Sequence, residues 1–383
     1  MLFSLTYSQT VLCKLKTPRL EEYTYNKFKY IKDYQNTEVP IIIEHGKKKP
    51  ENIFKFYGLS KFNIDALING YFYTSHPIEL NDILDSSPFL FYTSKPLDFE
   101  YYDKFLGFLY EGKEDELIKY YKDDANETNL CKGYIFQLWE TMTNIFGIIS
   151  TTGKENNPLM WPHYTQEKGF QIKFNTNELE KSIPEKLTEE EEFLGIYPVN
   201  YTSVLHPIDI SQFGAMFIPF YYGATVKLDK WGYEDEWRFL ISKQQMGVPY
   251  SKSGFSPRED YLVKKENRYT YYDKTIVKEI TLGMNFFNGR DFEINRVDER
   301  IIIVKPKEIE SNWEFKSQQL LLDYLCTDLN NKFYYSGVKY ELDEQEKPYL
   351  IRTKEKMLIE KLDDGFYQLT RTENIIKLIE KSA

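Results

Sequence analysis

From Glu234 to Ile241 the chain reads EDEWRFLI, with charge at 234, 236 and 238 and a large apolar side chain at 237, 239 and 241. A repeat of two belongs to a strand, because successive side chains leave opposite faces of a sheet. The segment therefore predicts a strand with Trp237, Phe239 and Ile241 packed inward and Glu234, Glu236 and Arg238 together on the other face. GFQIKFN (169–175) repeats the pattern, setting Phe170, Ile172 and Phe174 against Gln171 and Lys173. Between such strands, helical spacing recurs: Ile64, Leu67 and Ile68 before Gly70, an apolar stripe from about Asp103 to Asp124, and another from about Asn129 to Asn144. Strands and helices mixed in this order predict an α+β fold.

More strands are expected at 52–60, 71–76, 146–151, 197–201, 276–283 and 301–304, and short strands in residues 1–50. The acidic run Glu189 to Glu192 reads as a solvated loop or helix start. After Pro306 the character changes, with a helix near 317–328, strand-like segments between Lys332 and Thr370, and a short helix at 373–381. The chain divides on this reading into an N-terminal strand-rich extension (1–50), a core (51–305) and a small C-terminal α+β appendage (306–383).

With 42% hydrophobic and 28% charged residues, the 383-residue chain can bury a core. Its net charge of -10 opposes binding along a phosphate backbone, and the only short basic run is Lys47-Lys48-Lys49. Cys13, Cys131 and Cys326 are widely spaced and odd in number, which fits free thiols, and with four histidines a Cys/His zinc site is not expected. No uninterrupted apolar stretch reaches about 18 residues, so no membrane span is expected and the expected location is the cytoplasm of a prokaryote. Phosphate-cradling glycine loops, nucleophile elbows and HExxH motifs do not occur.

Three stretches hold residues that suit a binding site. On the Glu234, Glu236 and Arg238 face, two carboxylates about 7 Å apart along one strand can divide labour between polarising a nucleophile and stabilising positive charge. A solvent-facing row of ion pairs explains the same pattern. In YTSHPIELNDILD (73–85), Ser75, Asn81 and Asp82 suit turns and helix caps, and His76 precedes a proline and suits an extended loop. In NPLMWPHYT (157–165), Trp161 and Tyr164 can stack on a planar ring and His163 can titrate near neutrality, or the group forms a buried wedge with Leu159 and Met160 in the core.

In this order the segments FKFYGLSKFNIDALING, SHPIELND, IIS, LMWPHYTQEKGFQIKF and KWGYEDEWR resemble a widespread prokaryotic family, domain of unknown function 2971, over about Asn52 to Val304. The family usually carries Arg where Tyr57 stands, Pro-Phe-Glu where Ile83, Leu84 and Asp85 stand, and His-Lys-Gly or His-Arg-Gly where Glu167, Lys168 and Gly169 stand. Its layout is similar to ADP-ribosyltransferase-like folds, which implies a split mixed or antiparallel sheet with packed helices and NAD as cosubstrate. That similarity implies that Glu236 stabilises an oxocarbenium-like transition state and Glu234 orients the acceptor, while Tyr57, Ser75, Asn81, Trp161, His163, Tyr164 and Arg238 line the pocket. The activity it implies is ADP-ribosyl transfer or NAD hydrolysis, in a toxin or phage-defence effector. The alternatives are a non-enzymatic module that senses a nucleotide-like small molecule or binds a protein partner through the C-terminal appendage, and a metal-dependent nuclease built on Asp82, Glu234 and Glu236.

Overall fold

The computed structural model describes residues 20–36, 41–106, 110, 112–125, 132–244, 246–247 and 264–378. Its centre is a mixed sheet of eleven strands. In spatial order these are Phe292–Arg296, Ile301–Pro306, Tyr367–Leu378, Pro348–Lys361, Phe333–Leu342, Val277–Leu282, Phe170–Asn175, Asn52–Tyr57, Phe146–Thr152, Glu236–Lys243 and Glu191–Pro198. Neighbours are antiparallel except Val277–Leu282 and Phe333–Leu342, which run parallel. The α+β class is as the sequence implies, and the strands after residue 333 extend the same sheet.

One face carries the main core. Trp237, Phe239, Ile241, Ile172 and Phe174 pack there against Ile64 and Leu67 of the helix Lys61–Asn69, Leu179 and Ile183 of Thr176–Lys186, and Leu321, Leu322 and Leu325 of Phe315–Thr327. On the opposite face Ile148 and Leu240 pack with Ile218 and Tyr222 of the helix Phe217–Thr225, and with Tyr30 of a small sheet formed by Leu20–Tyr25, Phe28–Asp33 and Ile42–Glu44. Strands in the middle are therefore buried on both sides, and Gln171 is enclosed although its strand alternates as a half-exposed one should.

The sheet is split at one point. Asn52–Tyr57 pairs with Phe146–Thr152 only at Phe54 opposite Thr152. Further along, Ile148 is bridged instead by Ser75, through backbone bonds of 2.9 and 3.0 Å. Between these points the carbonyl of Ser150 accepts a bond of 2.7 Å from the Lys55 ammonium, which occupies the gap. At Gly169 a Cβ would lie 2.0 Å from the Tyr57 carbonyl, so that crossing admits only glycine.

Several local expectations are corrected. The long helix expected over 103–124 is two helices, Phe99–Leu106 and Glu114–Ala125; Gly112, at φ 75°, takes a left-handed conformation that a continuous helix does not contain. The C-terminal helix expected from 373 is strand up to Leu378, because the ladder to Pro348–Lys361 outweighs its local spacing. Glu191 and Glu192 start a strand rather than a loop or helix, with Glu191 ion-paired to Lys243 at 2.6 Å. For the short strands expected in residues 1–50, the part before Leu20 lies outside the described residues.

Candidate functional site

The strand expected from Glu234 starts at Glu236. Residues Asp229–Glu234 form a 3-10 helix, and Asp235, at φ 44°, turns the chain sharply between the two glutamates. The expected strand from Glu234 is thus corrected, yet Glu234 and Glu236 still face a common cation. Lys227, on the short strand Val226–Leu228, donates to Glu234 Oε2 at 2.7 Å and to Glu236 Oε2 at 3.0 Å, and stands 3.5 Å from Asp85.

Arg238 completes the cluster. Its Nε donates to Glu236 Oε1 at 2.9 Å, its NH2 to Glu236 Oε2 at 3.1 Å and Asp85 Oδ2 at 2.6 Å, and its NH1 to Asp85 Oδ1 and the Ala224 carbonyl, each at 2.8 Å. Buried carboxylates and cations persist only when each is bonded in this way. The five side chains are all enclosed, so the row is not a solvent-facing one.

Three carboxylates against two cations leave one negative charge unmatched, and the penalty falls on Glu234. Burial and then the neighbouring Glu236 raise its proton affinity above the ordinary carboxyl value, only partly offset by Lys227. For Glu236 burial acts in the same direction, but Arg238 and Lys227 outweigh it and hold the group far below the usual range. The Lys227 ammonium pays for burial too, yet Glu236 and Asp85 keep it charged.

Above Glu234 lies an aromatic rim. The Tyr164 hydroxyl donates to Glu234 Oε1 at 2.5 Å and accepts from the exposed Asn81 side chain at 3.2 Å. Trp231 donates to Asp82 Oδ2 at 2.8 Å, and its ring lies 5.1 Å from the Lys227 ammonium. Tyr233 stands 6.2 Å from Trp231 and 5.9 Å from His163, whose Nδ1 is 3.2 Å from the Tyr233 hydroxyl. Half-buried rings around an enclosed carboxyl suit a planar, positively charged group.

The structure thus gathers Glu234, Glu236, Arg238, Tyr164, Asn81 and Asp82, with His163 at the rim. Trp161 is 1% exposed, set edge-on to Phe56 at 5.2 Å in a cluster with Phe54 and Met160, and so forms the wedge rather than an open wall. Leu159, expected in the core, is exposed. Tyr57 packs in the main core against Phe170, and Ser75 serves the backbone bridge, so neither joins the acids. His76 is buried, with Nδ1 accepting from the Ile78 amide at 3.0 Å, and burial followed by Arg268 drives its proton affinity well down.

Sequence reasoning missed Asp85 and Lys227. Asp85 had a signal: it stands where the resembling family carries the acid of Asn-Asp-Pro-Phe-Glu. Lys227 had none, since nothing local distinguishes it from a surface lysine. No group of three or more His, Cys, Asp or Glu side chains placed so that it could hold a metal ion is found among the described residues, and no described helix is long and apolar enough to cross a membrane. An open groove of about 820 Å³ lies elsewhere, lined by Thr327, Asp328, Asn330, Glu360 and Gln368, and no predicted site residue borders it.

Comparison with curated proteins and with solved structures returns no match. The segment that runs from Met160 through the rim to Phe239 of the central strand does match a family model, described as Protein of unknown function (DUF2971), over residues 160–239. That segment, which holds Tyr164, Lys227, Glu234, Glu236 and Arg238, is what the chain shares with this family.

Proposed function

We propose that the chain takes NAD as substrate at the aromatic rim over Glu234 and breaks the bond between nicotinamide and ribose. The observation that carries this reading is the enclosed Glu234 carboxyl, raised in proton affinity and capped by the hydroxyl of the half-buried Tyr164. The charged pyridinium ring stacks on Trp231 and Tyr233. Negative charge beneath it stabilises the positive ribose carbon as the bond breaks. Both bonding electrons leave on the nicotinamide nitrogen, which becomes neutral. Water or an acceptor hydroxyl then adds to the ribose carbon, and its proton passes to Glu234. The split beside Lys55 and Ser150 supports an ADP-ribosyltransferase-like arrangement for this reading.

Both oxygens of Glu236 are already engaged by Arg238 and Lys227. In this proposal Glu236 sets the field and Glu234 acts, which reverses the weight that a Glu-x-Glu pattern alone gives. In a cell the turnover would deplete NAD, as a toxin or phage-defence effector does. The test is to incubate the full chain with NAD and follow nicotinamide release. Glu234→Gln is expected to lose about 10²-fold or more in rate; no release and no heat of binding with the native chain rejects the proposal.

The saturation of Glu236 also favours a second reading, a module that binds the nucleotide without turnover. Its mark is calorimetric binding of NAD that survives Glu234→Gln, with no nicotinamide released by either protein.

A further inference from the structure

The strand Phe333–Leu342 has one edge that is mostly unused. It pairs from Tyr334 to Leu342 with Pro348–Lys361, but on its other side only Phe333, Tyr334 and Tyr335 meet Val277–Leu282. Among the described residues no strand partner covers the outer edge of Ser336–Leu342. A bare row of amides and carbonyls is a template for another strand, and folded chains usually shield it.

Here the side chains do the reverse. Val338, Tyr340 and Leu342 share one face and are 53%, 76% and 63% exposed, and Leu350, opposite Tyr340 on the neighbouring strand, is 62% exposed. Lys339 and Glu341 alternate with them on the other face. If a second copy pairs antiparallel about Tyr340, Val338 faces the partner's Leu342, and Lys339 faces the partner's Glu341. Twofold symmetry makes every such contact twice. Shifting the register by two residues sets Lys339 against Lys339 or Glu341 against Glu341, and a parallel alignment in register sets like charges opposite each other.

We infer that Ser336–Leu342 is a self-association edge, through which two copies of this chain join their sheets by antiparallel pairing centred on Tyr340. The geometry selects a second copy because the charge order on the edge complements itself. The Lys377 ammonium holds Glu341 Oε1 at 2.8 Å on its own sheet, which leaves Oε2 to take the partner's lysine.

The test uses the full chain and sedimentation equilibrium. The native protein is expected to be a dimer that dissociates on dilution. Lys339→Glu opposes two carboxylates twice and is expected to weaken association about tenfold or more. Adding Glu341→Lys to that variant restores the complementary order, and with it the dimer. Tyr340→Lys, at a site too exposed to matter for folding, is expected to give monomer with an unchanged melting temperature. A native protein that is monomeric at about 100 μM, or a charge-swapped double variant no tighter than Lys339→Glu alone, overturns the inference. Pairing with an extended segment of another protein would show as a native monomer, and so also counts against it.

Discussion

Arg238 grips Asp85 with both arms of its guanidinium, NH1 to Oδ1 at 2.8 Å and NH2 to Oδ2 at 2.6 Å, and neither side chain reaches solvent. The pair fastens the loop that carries Asn81 and Asp82 to the central strand. The next residue, Ser86, extends the attachment: its hydroxyl accepts from Arg238 NH1 at 3.2 Å and its carbonyl from the Trp139 indole at 2.9 Å. One ion pair thus sets where the loop, the helix Lys132–Asn144 and the rim stand relative to the acids.

Asp85→Asn leaves two carboxylates against two cations, with Arg238 still held by Glu236, but it opens the two-armed clamp on the loop. It is expected to lower the unfolding free energy by about 1–3 kcal/mol, measured by urea titration. In Arg238→Met the clamp is already gone, so adding Asp85→Asn should cost little more and the double variant should lose less than the sum of the two single losses. Additive losses would mean that the two residues do not act as a pair.

The two glutamates should move stability in opposite directions with pH. Glu234 holds its proton more tightly when folded, so its favourable contribution is present at low pH and fades as pH rises above the ordinary carboxyl value. Glu236 is the converse: its contribution is present at neutral pH and is lost as pH falls below that value. Relative to the native chain, Glu234→Gln is therefore expected to gain stability as pH rises from about 4 to 7, whereas Glu236→Gln loses it as pH rises from about 2 to 5 and differs by a constant amount above that. The pair shares Lys227, so the titration belongs to both. Parallel pH curves for the three proteins would contradict this assignment.

What the sequence disclosed follows from periodicity. Trp237, Phe239 and Ile241 fall on one side of their strand because a period of two survives any context, and Gly70 ends the helix Lys61–Asn69 in a left-handed conformation as its position implies. What remained hidden is non-local. The turn at Asp235 carries Glu234 out of the strand, yet it keeps both acids on Lys227, seven residues upstream of Glu234 and nine upstream of Glu236. Asp85 meets Arg238 across 153 positions of sequence. Nor could alternation tell that Trp161 would be enclosed, since a tryptophan beside a proline suits a wedge and a wall equally.

Lys55 offers an independent pH test. Burial lowers its proton affinity to about 8, against a smaller opposing pull from Glu236. A lysine depressed in the folded state is protonated more readily when unfolded, so it costs stability at neutral pH. That cost fades as pH climbs from about 8 toward the ordinary lysine value. Lys55→Met is expected to be the more stable protein at pH 7, by at most about 3 kcal/mol and less for losing the bond to the Ser150 carbonyl. The advantage should shrink by pH 10. A difference in stability that stays constant from pH 7 to 10 would show that Lys55 keeps its charge in the folded protein.

Trp161 separates a wedge from a ligand wall. Its ring lies between Phe56, at 5.2 Å, and the Arg352 guanidinium, at 4.9 Å, and Arg352 is itself ion-paired to Glu167. The indole nitrogen is buried and has no hydrogen-bond partner among the described residues, so the side chain contributes through packing. Trp161→Ala leaves a large void and is expected to cost about 3–5 kcal/mol. Trp161→Phe keeps most of the volume and sacrifices no hydrogen bond, so its cost should be nearer about 1–2 kcal/mol. Because Tyr164 shares this cluster and also holds Glu234, the alanine variant should loosen the rim and weaken NAD binding as it destabilises the fold. The phenylalanine variant should leave NAD binding within about twofold of native, a change of less than 0.5 kcal/mol. A ligand wall behaves otherwise: the phenylalanine variant would lose affinity while its urea midpoint stayed unchanged, and that result would place Trp161 against the ligand instead of beneath the sheet.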